Sequence, residues 1–213
     1  MIKAVLWDFG GVITTSPFEA FNRFELEWGI PEDFIRTINA TNPETNAWAQ
    51  FESSQISLDE FDVAFAEESR TRGHEMGGKQ VVELLSGDIR PRMVDMLKQC
   101  KANYQIACIT NNVKSGSGPG MAGNAEKANA VRGIMELFDL VVESSIEGIR
   151  KPNPDIYTLT CERLGVAPEH SVFLDDLGIN LKPARALGMH TIKVLNEEQA
   201  IDDLYQITGL PRS

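Results

Sequence analysis

The stretch KAVLWDFGGVITTS, residues 3–16, decides the fold. An apolar run ends on Asp8, and two glycines, Gly10 and Gly11, come shortly after it. A short apolar run bounded by turn residues predicts a buried strand. A carboxylate at the end of such a strand, beside a flexible glycine turn, indicates a place for chemistry. The position two residues after this aspartate holds glycine, which has no side chain to contribute.

Four other segments share the short, apolar and largely β-branched or aromatic composition of this one. The five predicted strands are residues 2–9, 105–110, 138–143, 171–175 and 191–195. Helical patterns precede the last four strands, at residues 91–100, 125–137, 155–164 and 181–187. Such strands are typical of parallel sheets covered on both faces, and their alternation with helices favours right-handed crossovers. The sequence therefore predicts an α/β fold with a doubly wound parallel sheet.

One interval, residues 16–87, interrupts this alternation with helical patterns and no convincing strand. FEAFNRFELEW and SLDEFDVAFAEESR carry apolar residues at three- and four-residue spacing, which indicates amphipathic helices. Ser57 and Glu60 form a capping-box pattern at the start of the second helix. An insertion at this point lies over the carboxyl ends of the strands, where open α/β sheets bind ligands. We expect a catalytic core of residues 1–15 and 88–213 and a helical cap of residues 16–87.

Composition narrows the class of protein. The 213 residues are 42% hydrophobic and 24% charged, which suits a globular unit with a sizeable core. A net charge of −11 disfavours binding to nucleic acid or anionic membranes. No signal-peptide pattern occurs, so we expect a cytoplasmic protein. The few cysteines and histidines show no zinc-binding spacing, and the stretch SGSGPGMAG, residues 115–123, predicts a mobile loop.

Polar residues cluster where the predicted strands end. They are Asp8, Thr110, Asn111, Asn112, Asp175 and Asp176, joined by Lys151 in the loop after the third strand. Because parallel strands share one carboxyl edge, we expect these residues to meet there. Several carboxylates at one place repel one another unless a cation joins them, and ligand sets made of oxygen alone favour magnesium. With a lysine, a hydroxyl and backbone N–H groups, the set predicts a pocket for a dianion, in which Asp8 can attack phosphorus.

Four motifs in this order resemble those of the haloacid dehalogenase (HAD) superfamily. They are DFGGV at Asp8, ITNN at Thr110, RKPNPDIY at Lys151 and FLDDLGINLKPARALGM at Asp175 and Asp176. The resemblance covers essentially the whole chain and implies a HAD-like, Rossmann-like sheet of order 5-4-1-2-3 with an inserted helical cap. The last two motifs are especially similar to the N-terminal phosphatase domain of soluble epoxide hydrolase. The stretch FESSQISLDEF and the glycine at position 10 resemble a glucose-1-phosphatase-like branch.

The resemblance assigns roles to the acidic residues. It implies that Asp8 is the nucleophile and a magnesium ligand, and that Asp176 binds the metal directly with Asp175 behind it. Asn180 would support this arrangement. The residue at position 10 normally gives the metal its backbone carbonyl and the leaving group a proton from an acid side chain. Gly10 supplies only the carbonyl.

The resemblance also assigns the phosphate contacts and the reaction. Thr110 and Asn111 would hold phosphate oxygens, and Lys151 would neutralise both the phosphate and the nucleophile. We therefore expect a magnesium-dependent phosphomonoester hydrolase that acts on a small-molecule monophosphate through an aspartyl-phosphate. Without an acid at position 10, turnover is slow, the leaving group needs little protonation, or water or the cap supplies the proton. Because acids outnumber bases in the cap, a monophosphate with a neutral or partly apolar leaving group suits it.

Other functions stay open at this stage. A non-hydrolytic, phosphate-binding regulatory protein would explain Gly10, although the costly cluster of like charges argues against it. Metal-independent dehalogenation needs no paired acids, so Asp175 and Asp176 disfavour it. Phosphonate cleavage through a cap Schiff base is disfavoured because Lys79, the only lysine of the cap, stands at its far end. Phosphoryl transfer within a sugar phosphate would also need an acid at position 10.

Overall fold

A computed structural model describes residues 1–112 and 125–212, and within these residues five strands form one parallel sheet. The strands are β1 (Ala4–Trp7), β2 (Gln105–Thr110), β3 (Leu140–Glu143), β4 (Ser171–Asp175) and β5 (His190–Lys193). Their order is β3-β2-β1-β4-β5. The first strand lies in the centre, paired with β2 on one side and β4 on the other. The predicted doubly wound α/β fold and its strand order are confirmed.

The interval of residues 16–87 is helical, as predicted. Within this fully described interval the helices are α1 (Pro17–Trp28), α2 (Phe34–Ala40), α3 (Ala47–Glu52), α4 (Leu58–Arg70) and α5 (Gly78–Glu83). Their apolar faces form a hydrophobic cluster of their own around Phe51, Phe61 and Phe65. The predicted capping box is present, because Glu60 N–H donates to the Ser57 hydroxyl and Ser57 N–H donates to the Glu60 carboxylate.

The remaining helices cover both faces of the sheet. They are α6 (Pro91–Lys101), α7 (Ala125–Met135), α8 (Ser144–Glu147), α9 (Pro154–Leu164), α10 (Gly178–Ala186) and α11 (Glu197–Thr208), with a 3-10 turn at Pro168–His170. Successive strand residues point to opposite faces. Val5 and Trp7 therefore pack in the cluster completed by α6 and α11, and Ala4 and Leu6 in the one completed by α9 and α10. No helix in the described part of the chain is long and apolar enough to cross a membrane.

Several element boundaries differ from the predicted ones. The strand predicted at 2–9 ends at Trp7 because the chain turns at Phe9, whose carbonyl accepts the N–H groups of Ile13 and Thr14. The strands predicted at 138–143 and 191–195 are also shorter, and the latter begins one residue earlier. The helix predicted at 181–187 begins at 178, ahead of its apolar pattern, and continues through Pro183. The stretch 115–123 lies outside the described residues.

The chain leaves the sheet and returns to it along two adjacent segments. Thr14 and Ile89 form an antiparallel bridge. Beside it, Thr15 N–H donates to the Asp88 carbonyl over 2.8 Å, and Arg90 N–H donates to the carbonyl of residue 13 over 2.9 Å. This pairing fixes the entrance and exit of the helical insertion next to the carboxyl end of β1. The insertion is thereby held over the edge of the sheet where the candidate site lies.

Candidate active site

The register of the central strands brings three aspartates together. Trp7 pairs with Leu174, so Asp8 and Asp175, which come next in the two strands, lie side by side. The backbone N–H of Asp8 donates to the Leu174 carbonyl over 2.8 Å and continues the ladder to this point. Asp176 follows in the chain, and oxygen atoms of the three carboxylates lie within 4.8 Å of one another. The sheet edge therefore concentrates negative charge at one place.

Lys151 supplies the positive charge that these carboxylates contact. Its side chain is 1% exposed, and its Nζ lies 2.8 Å from an oxygen of Asp8 and 2.8 Å from an oxygen of Asp175. Asn111 holds the lysine loop in place: its side-chain amide donates to the Lys151 carbonyl and its side-chain oxygen accepts the Lys151 N–H, over 3.0 and 2.9 Å. Although burial opposes the ammonium, the two carboxylates raise the pKa of Lys151 well above its usual range.

Further hydrogen bonds orient the two acids at the end of β4. Asp175 is fully buried and accepts hydrogen bonds from Leu177 N–H and from the side-chain amide of Asn180. The Asn180 amide thereby supports Asp175 from behind, in line with the supporting position implied for it. The hydroxyl of Ser16 donates to a carboxylate oxygen of Asp176 over 3.0 Å. These hydrogen bonds therefore orient both carboxylates.

The positive charge of Lys151 does not balance the negative charge of the three clustered aspartates. Burial raises the pKa of Asp8 well above its usual range, and the neighbouring carboxylates add to the rise while the Lys151 ammonium opposes it. Burial, together with repulsion from Asp175, also raises the pKa of Asp176, to about 6. Raised pKa values in the presence of the lysine mean that a further cation would be bound favourably. Because the donors are carboxylate oxygens, the cluster fits a hard divalent cation such as Mg²⁺.

The two glycines after Asp8 meet different surroundings. Gly11 has φ +74°, and a Cβ built on it would lie 2.2 Å from an Asp176 carboxylate oxygen, so no larger residue fits without moving that acid. Its carbonyl accepts a hydrogen bond from the Arg90 guanidinium over 2.7 Å. A Cβ built on Gly10 would meet no atom within 4 Å. Position 11 therefore requires glycine, whereas position 10 has room for a side chain.

A cavity of about 1010 Å³ lies between this edge of the sheet and the helical insertion. Small-molecule sites in proteins measure roughly 300–1,000 Å³, so the cavity has room for an organic group beside a phosphoryl group. The residues of the helical insertion that line it include Phe18, Phe21, Arg36, Glu44, Trp48 and Glu52. On the side of the sheet, Arg150 lies next to Lys151, and its Nη1 is 3.1 Å from an Oε atom of Glu52.

The structure places the predicted site residues around the floor of this cavity. Those that line it are Asp8, Gly10, Thr110, Asn111, Lys151 and Asp176, and Asp175 lies buried directly beneath. Their roles in binding and catalysis remain predictions. The Asn111 side chain is engaged with the Lys151 backbone, so it positions the lysine loop in addition to the phosphate contact expected of it. Asn112 is buried and hydrogen-bonded to Glu143 and Ser145, away from the acids.

Four residues at the site were missed by sequence reasoning. Gly11 stood next to the noted glycine, but its φ and its contact with Asp176 depend on the fold. Ser16 carries no motif signal beyond its place at the start of the first helix of the insertion. Glu52 is one of many acids in the insertion, and Arg150 is only the neighbour of Lys151 in its motif. Each of these contacts joins residues distant in sequence, which no spacing pattern reveals.

This chain is similar to several known proteins. Residues 2–188 match the family model of haloacid dehalogenase-like hydrolases. The chain is 30% identical over 220 residues to bifunctional epoxide hydrolase 2 of Sus scrofa, covering 98% of this chain and 39% of that protein. It is 24% identical over 210 residues to the sesquiterpene phosphatase astK of Aspergillus oryzae, covering 97% of both chains. The chain therefore spans well under half of the epoxide hydrolase but nearly all of the phosphatase.

A solved structure shows the same fold. It is a HAD family enzyme of Bacteroides thetaiotaomicron in complex with magnesium and inorganic phosphate. The TM-score is 0.56 at 21% identity, over 90% of this chain and 93% of that one. The shared fold includes the sheet whose edge carries the acidic cluster described above.

Proposed function

Because the chain belongs to the haloacid dehalogenase-like hydrolases, we propose that it is a magnesium-dependent phosphomonoester hydrolase with Asp8 as nucleophile. The observation that carries this proposal is the buried Lys151 ammonium, which lies 2.8 Å from both Asp8 and Asp175 beneath the cavity. At this distance the ammonium favours the ionised form of Asp8, against the burial that raises the pKa of this acid. It is also close enough to neutralise a phosphoryl group attached to that carboxylate.

The reaction has two halves at Asp8. In the first, a carboxylate oxygen of Asp8 attacks phosphorus, the bond from phosphorus to the leaving oxygen breaks, and an aspartyl-phosphate forms. In the second, water attacks the phosphorus of this mixed anhydride, the bond from phosphorus to the Asp8 oxygen breaks, and inorganic phosphate and the free Asp8 carboxylate result. In this proposal Thr110 and Asn111, which line the cavity at the end of β2, hold phosphoryl oxygens.

Magnesium has a defined place in this proposal. The carboxylates of Asp8 and Asp176 and the carbonyl of Gly10 would hold the ion, while Asp175 orients the group from below. When bound, Mg²⁺ supplies positive charge that neutralises phosphoryl oxygens in the transition state. The raised pKa values of Asp8 and Asp176 support this assignment, because both acids are short of positive charge without it.

The substrate is proposed to be a small organic monophosphate. The cavity holds an organic group of moderate size, and its wall combines rings such as Phe18, Phe21 and Trp48 with a few charged groups. The relative astK of Aspergillus oryzae is named as a sesquiterpene phosphatase, which supports a phosphate ester of an organic group here. We further propose that residues 16–87 act as the cap and that residues 1–15 and 88–213 form the catalytic core. Nucleic-acid binding is not expected from the net charge.

A phosphate-release assay over a panel of monophosphates, with and without Mg²⁺, tests this function. We expect turnover that needs Mg²⁺ and that falls at least ~10³-fold in Asp8→Asn, because the nucleophile is removed. Glu27→Gln, which changes an exposed carboxyl of α1 outside the cavity lining, is the matched control and should retain activity. Activity that survives in Asp8→Asn would contradict the nucleophile assignment.

The same assay addresses the second candidate function, a phosphate-binding regulator without turnover. The observation that favours it is Gly10, which removes the family's usual proton donor. Phosphate binding measured by calorimetry, with no phosphate release from any member of the panel, would support the regulator. Magnesium-dependent release from any member would exclude it.

A further inference from the structure

The leaving oxygen of the proposed reaction needs a proton that position 10 cannot give. In the described residues, the carboxyl groups that line the cavity are Asp8, Glu44, Glu52 and Asp176. Two of them are already assigned, Asp8 as nucleophile and Asp176 as metal ligand. Glu44 is exposed. Glu52 is 7% exposed and has no role in the reaction described so far.

Glu52 is fixed against the core although it belongs to the helical insertion. It is the last residue of α3, and its carbonyl accepts a hydrogen bond from the Ser144 hydroxyl over 3.4 Å. Two residues later, the Ser54 hydroxyl donates to the Ser145 carbonyl over 3.3 Å. These two contacts seat the end of α3 on α8, directly after β3. The backbone at Glu52 therefore has a fixed position, and its side chain lines the cavity from there.

Arg150 joins Glu52 to the catalytic lysine loop. Its Nη1 lies 3.1 Å from a Glu52 carboxylate oxygen, and it immediately precedes Lys151, whose ammonium contacts Asp8. Glu52 thus lines the same cavity as Asp8, the proposed nucleophile. It contacts Arg150, and the next residue in the chain, Lys151, contacts Asp8. The contact crosses from the helical insertion to the core.

The surroundings of Glu52 favour the protonated form of its carboxyl more than water does around an exposed glutamate. Burial raises the pKa of Glu52, while the charges of Arg150 and Lys151 and a hydrogen bond from Trp48 lower it, and the rise prevails. Arg36 and Glu44, from α2 and the loop after it, are the other charged side chains of the insertion that line this cavity.

We propose that Glu52 is the proton donor to the leaving oxygen, with Arg150 as its positioning residue. The proposal rests on the phosphatase function proposed above. As the bond from phosphorus to oxygen breaks, its electron pair stays on the oxygen and takes the proton of the Glu52 carboxyl. The Glu52 carboxylate that results is stabilised by the Arg150 guanidinium. When water attacks the aspartyl-phosphate, this carboxylate accepts the water's proton, and the acid is restored.

Glu52→Gln tested on two kinds of leaving group separates this role from others. 4-Nitrophenyl phosphate releases a weakly basic oxygen that needs no proton, whereas a simple alkyl monophosphate releases a strongly basic one. We expect kcat/KM to fall ~10²–10⁴-fold for the alkyl ester and less than about 10-fold for the aryl ester, because general acid assistance is worth that much. Glu27→Gln, at an exposed glutamate of α1 that does not line the cavity, should leave both values unchanged.

One further variant keeps the test informative if Glu52→Gln is poorly folded, and another tests whether an acid at position 10 can replace Glu52. Arg150→Gln removes the charge that lowers the pKa of Glu52, so the fall of alkyl-ester kcat/KM at rising pH should move to higher pH. If the contact between Arg150 and Glu52 were purely structural, the pH at which kcat/KM falls would not change. Gly10→Asp in the Glu52→Gln background should restore much of the alkyl-ester activity, because position 10 has room for a side chain.

An equal loss on both ester classes, or no loss on either, would overturn the assignment of Glu52. In both cases the Mg²⁺ requirement and the collapse of activity in Asp8→Asn would leave the proposed function standing. Returning glutamate to position 52 should restore kcat/KM for the alkyl ester. A wild-type enzyme that releases phosphate from neither ester would overturn the function and the donor together.

Discussion

At the edge of the sheet, buried charged groups contact one another, whereas in the helical insertion aromatic rings do. Lys151 lies between Asp8 and Asp175 with almost no exposure. In the insertion, the Phe51 and Phe61 rings stack with their centroids 4.4 Å apart. The first arrangement depends on strand register, which allows little displacement. The second depends on apolar packing, which tolerates substitution when volume is kept.

The two kinds of packing suit two different parts of the proposed reaction. Attack on phosphorus needs charges fixed to a fraction of an ångström, and the parallel strands hold them there. The leaving group differs between substrates, and the helical insertion can vary its contacts without moving the acids. In our proposals the proton donor belongs to this second region, because Glu52 is contributed by α3 and is joined to the core by Arg150.

Lys151→Met should have the largest effect, because it breaks the buried ion cluster itself. Asp8 and Asp175 would lose their shared cation, and breaking a buried pair typically costs ~3–5 kcal/mol. We expect urea unfolding to show a loss of that size, and activity to fall at least ~10³-fold. Mg²⁺ should restore part of the stability, since it brings positive charge back to the cluster.

Lys79→Met is the matched control for this change. Lys79 lies in the helical insertion and forms an exposed pair with Asp59. Exposed pairs contribute little to stability, so the urea midpoint should barely move. If Lys151→Met proved as harmless as Lys79→Met, the sheet edge would not depend on its buried cation, and the contrast between the two regions would fail.

Gly11→Ala compared with Gly10→Ala tests how tightly the acids are held. At position 11 the added methyl group would lie 2.2 Å from the Asp176 carboxylate at a φ of +74°, whereas at position 10 it meets nothing within 4 Å. We expect Gly11→Ala to weaken Mg²⁺ affinity roughly 10²-fold, by displacing a ligand. Gly10→Ala should change it less than about 3-fold. Isothermal titration with Mg²⁺ measures both, and equal affinities would contradict the contact.

The strand ends could be predicted from the sequence for a physical reason. An apolar run followed by a carboxylate indicates where a buried strand stops, and parallel strands share that edge, so Asp8 and Asp175 were expected at the same edge. That their two strands are adjacent was implied by the resemblance, which gave the strand order. The contact of Glu52 with Arg150 depends on how α3 docks beside β3, and no local pattern encodes that. The positive φ of Gly11 likewise follows from the turn that Phe9 closes. Side chains placed by the backbone ladder were therefore predictable, and those placed by packing were not.

Asp176→Asn should separate stability from function. Its carboxyl has a pKa of about 6, raised from the usual 3.8. Because the folded state holds this proton more tightly than the unfolded state, the ionised group costs stability as pH rises from about 4 to 6. By neutral pH the cost reaches ~2–3 kcal/mol. The variant should be more stable by about that amount at pH 7 without Mg²⁺, and inactive.

Urea unfolding at pH 4 and at pH 7 measures this difference. At pH 4 the wild type and Asp176→Asn should be nearly equal in stability, because the aspartate keeps its proton when folded. Adding Mg²⁺ at pH 7 should stabilise the wild type and leave the variant nearly unaffected. A variant that is less stable than the wild type at pH 7 would show that the acidic cluster does not strain the fold.

The helical insertion should respond to Glu25→Gln with the smallest of these effects and with no loss of chemistry. Glu25 is buried, and its carboxylate accepts the backbone N–H groups of Asp33 and Ile35 at the start of α2. Replacing a charged acceptor with an amide weakens both bonds and places an N–H₂ group against one donor, at a cost of ~1–2 kcal/mol. Urea unfolding should show this loss, whereas Glu27→Gln on the exposed side of α1 should show almost none.

Release of phosphate from 4-nitrophenyl phosphate should be within about 2-fold of wild type in both variants, because the acids at the sheet edge do not contact this part of the insertion. A fall in that rate as large as the one expected for Lys151→Met would mean that the two regions are not independent.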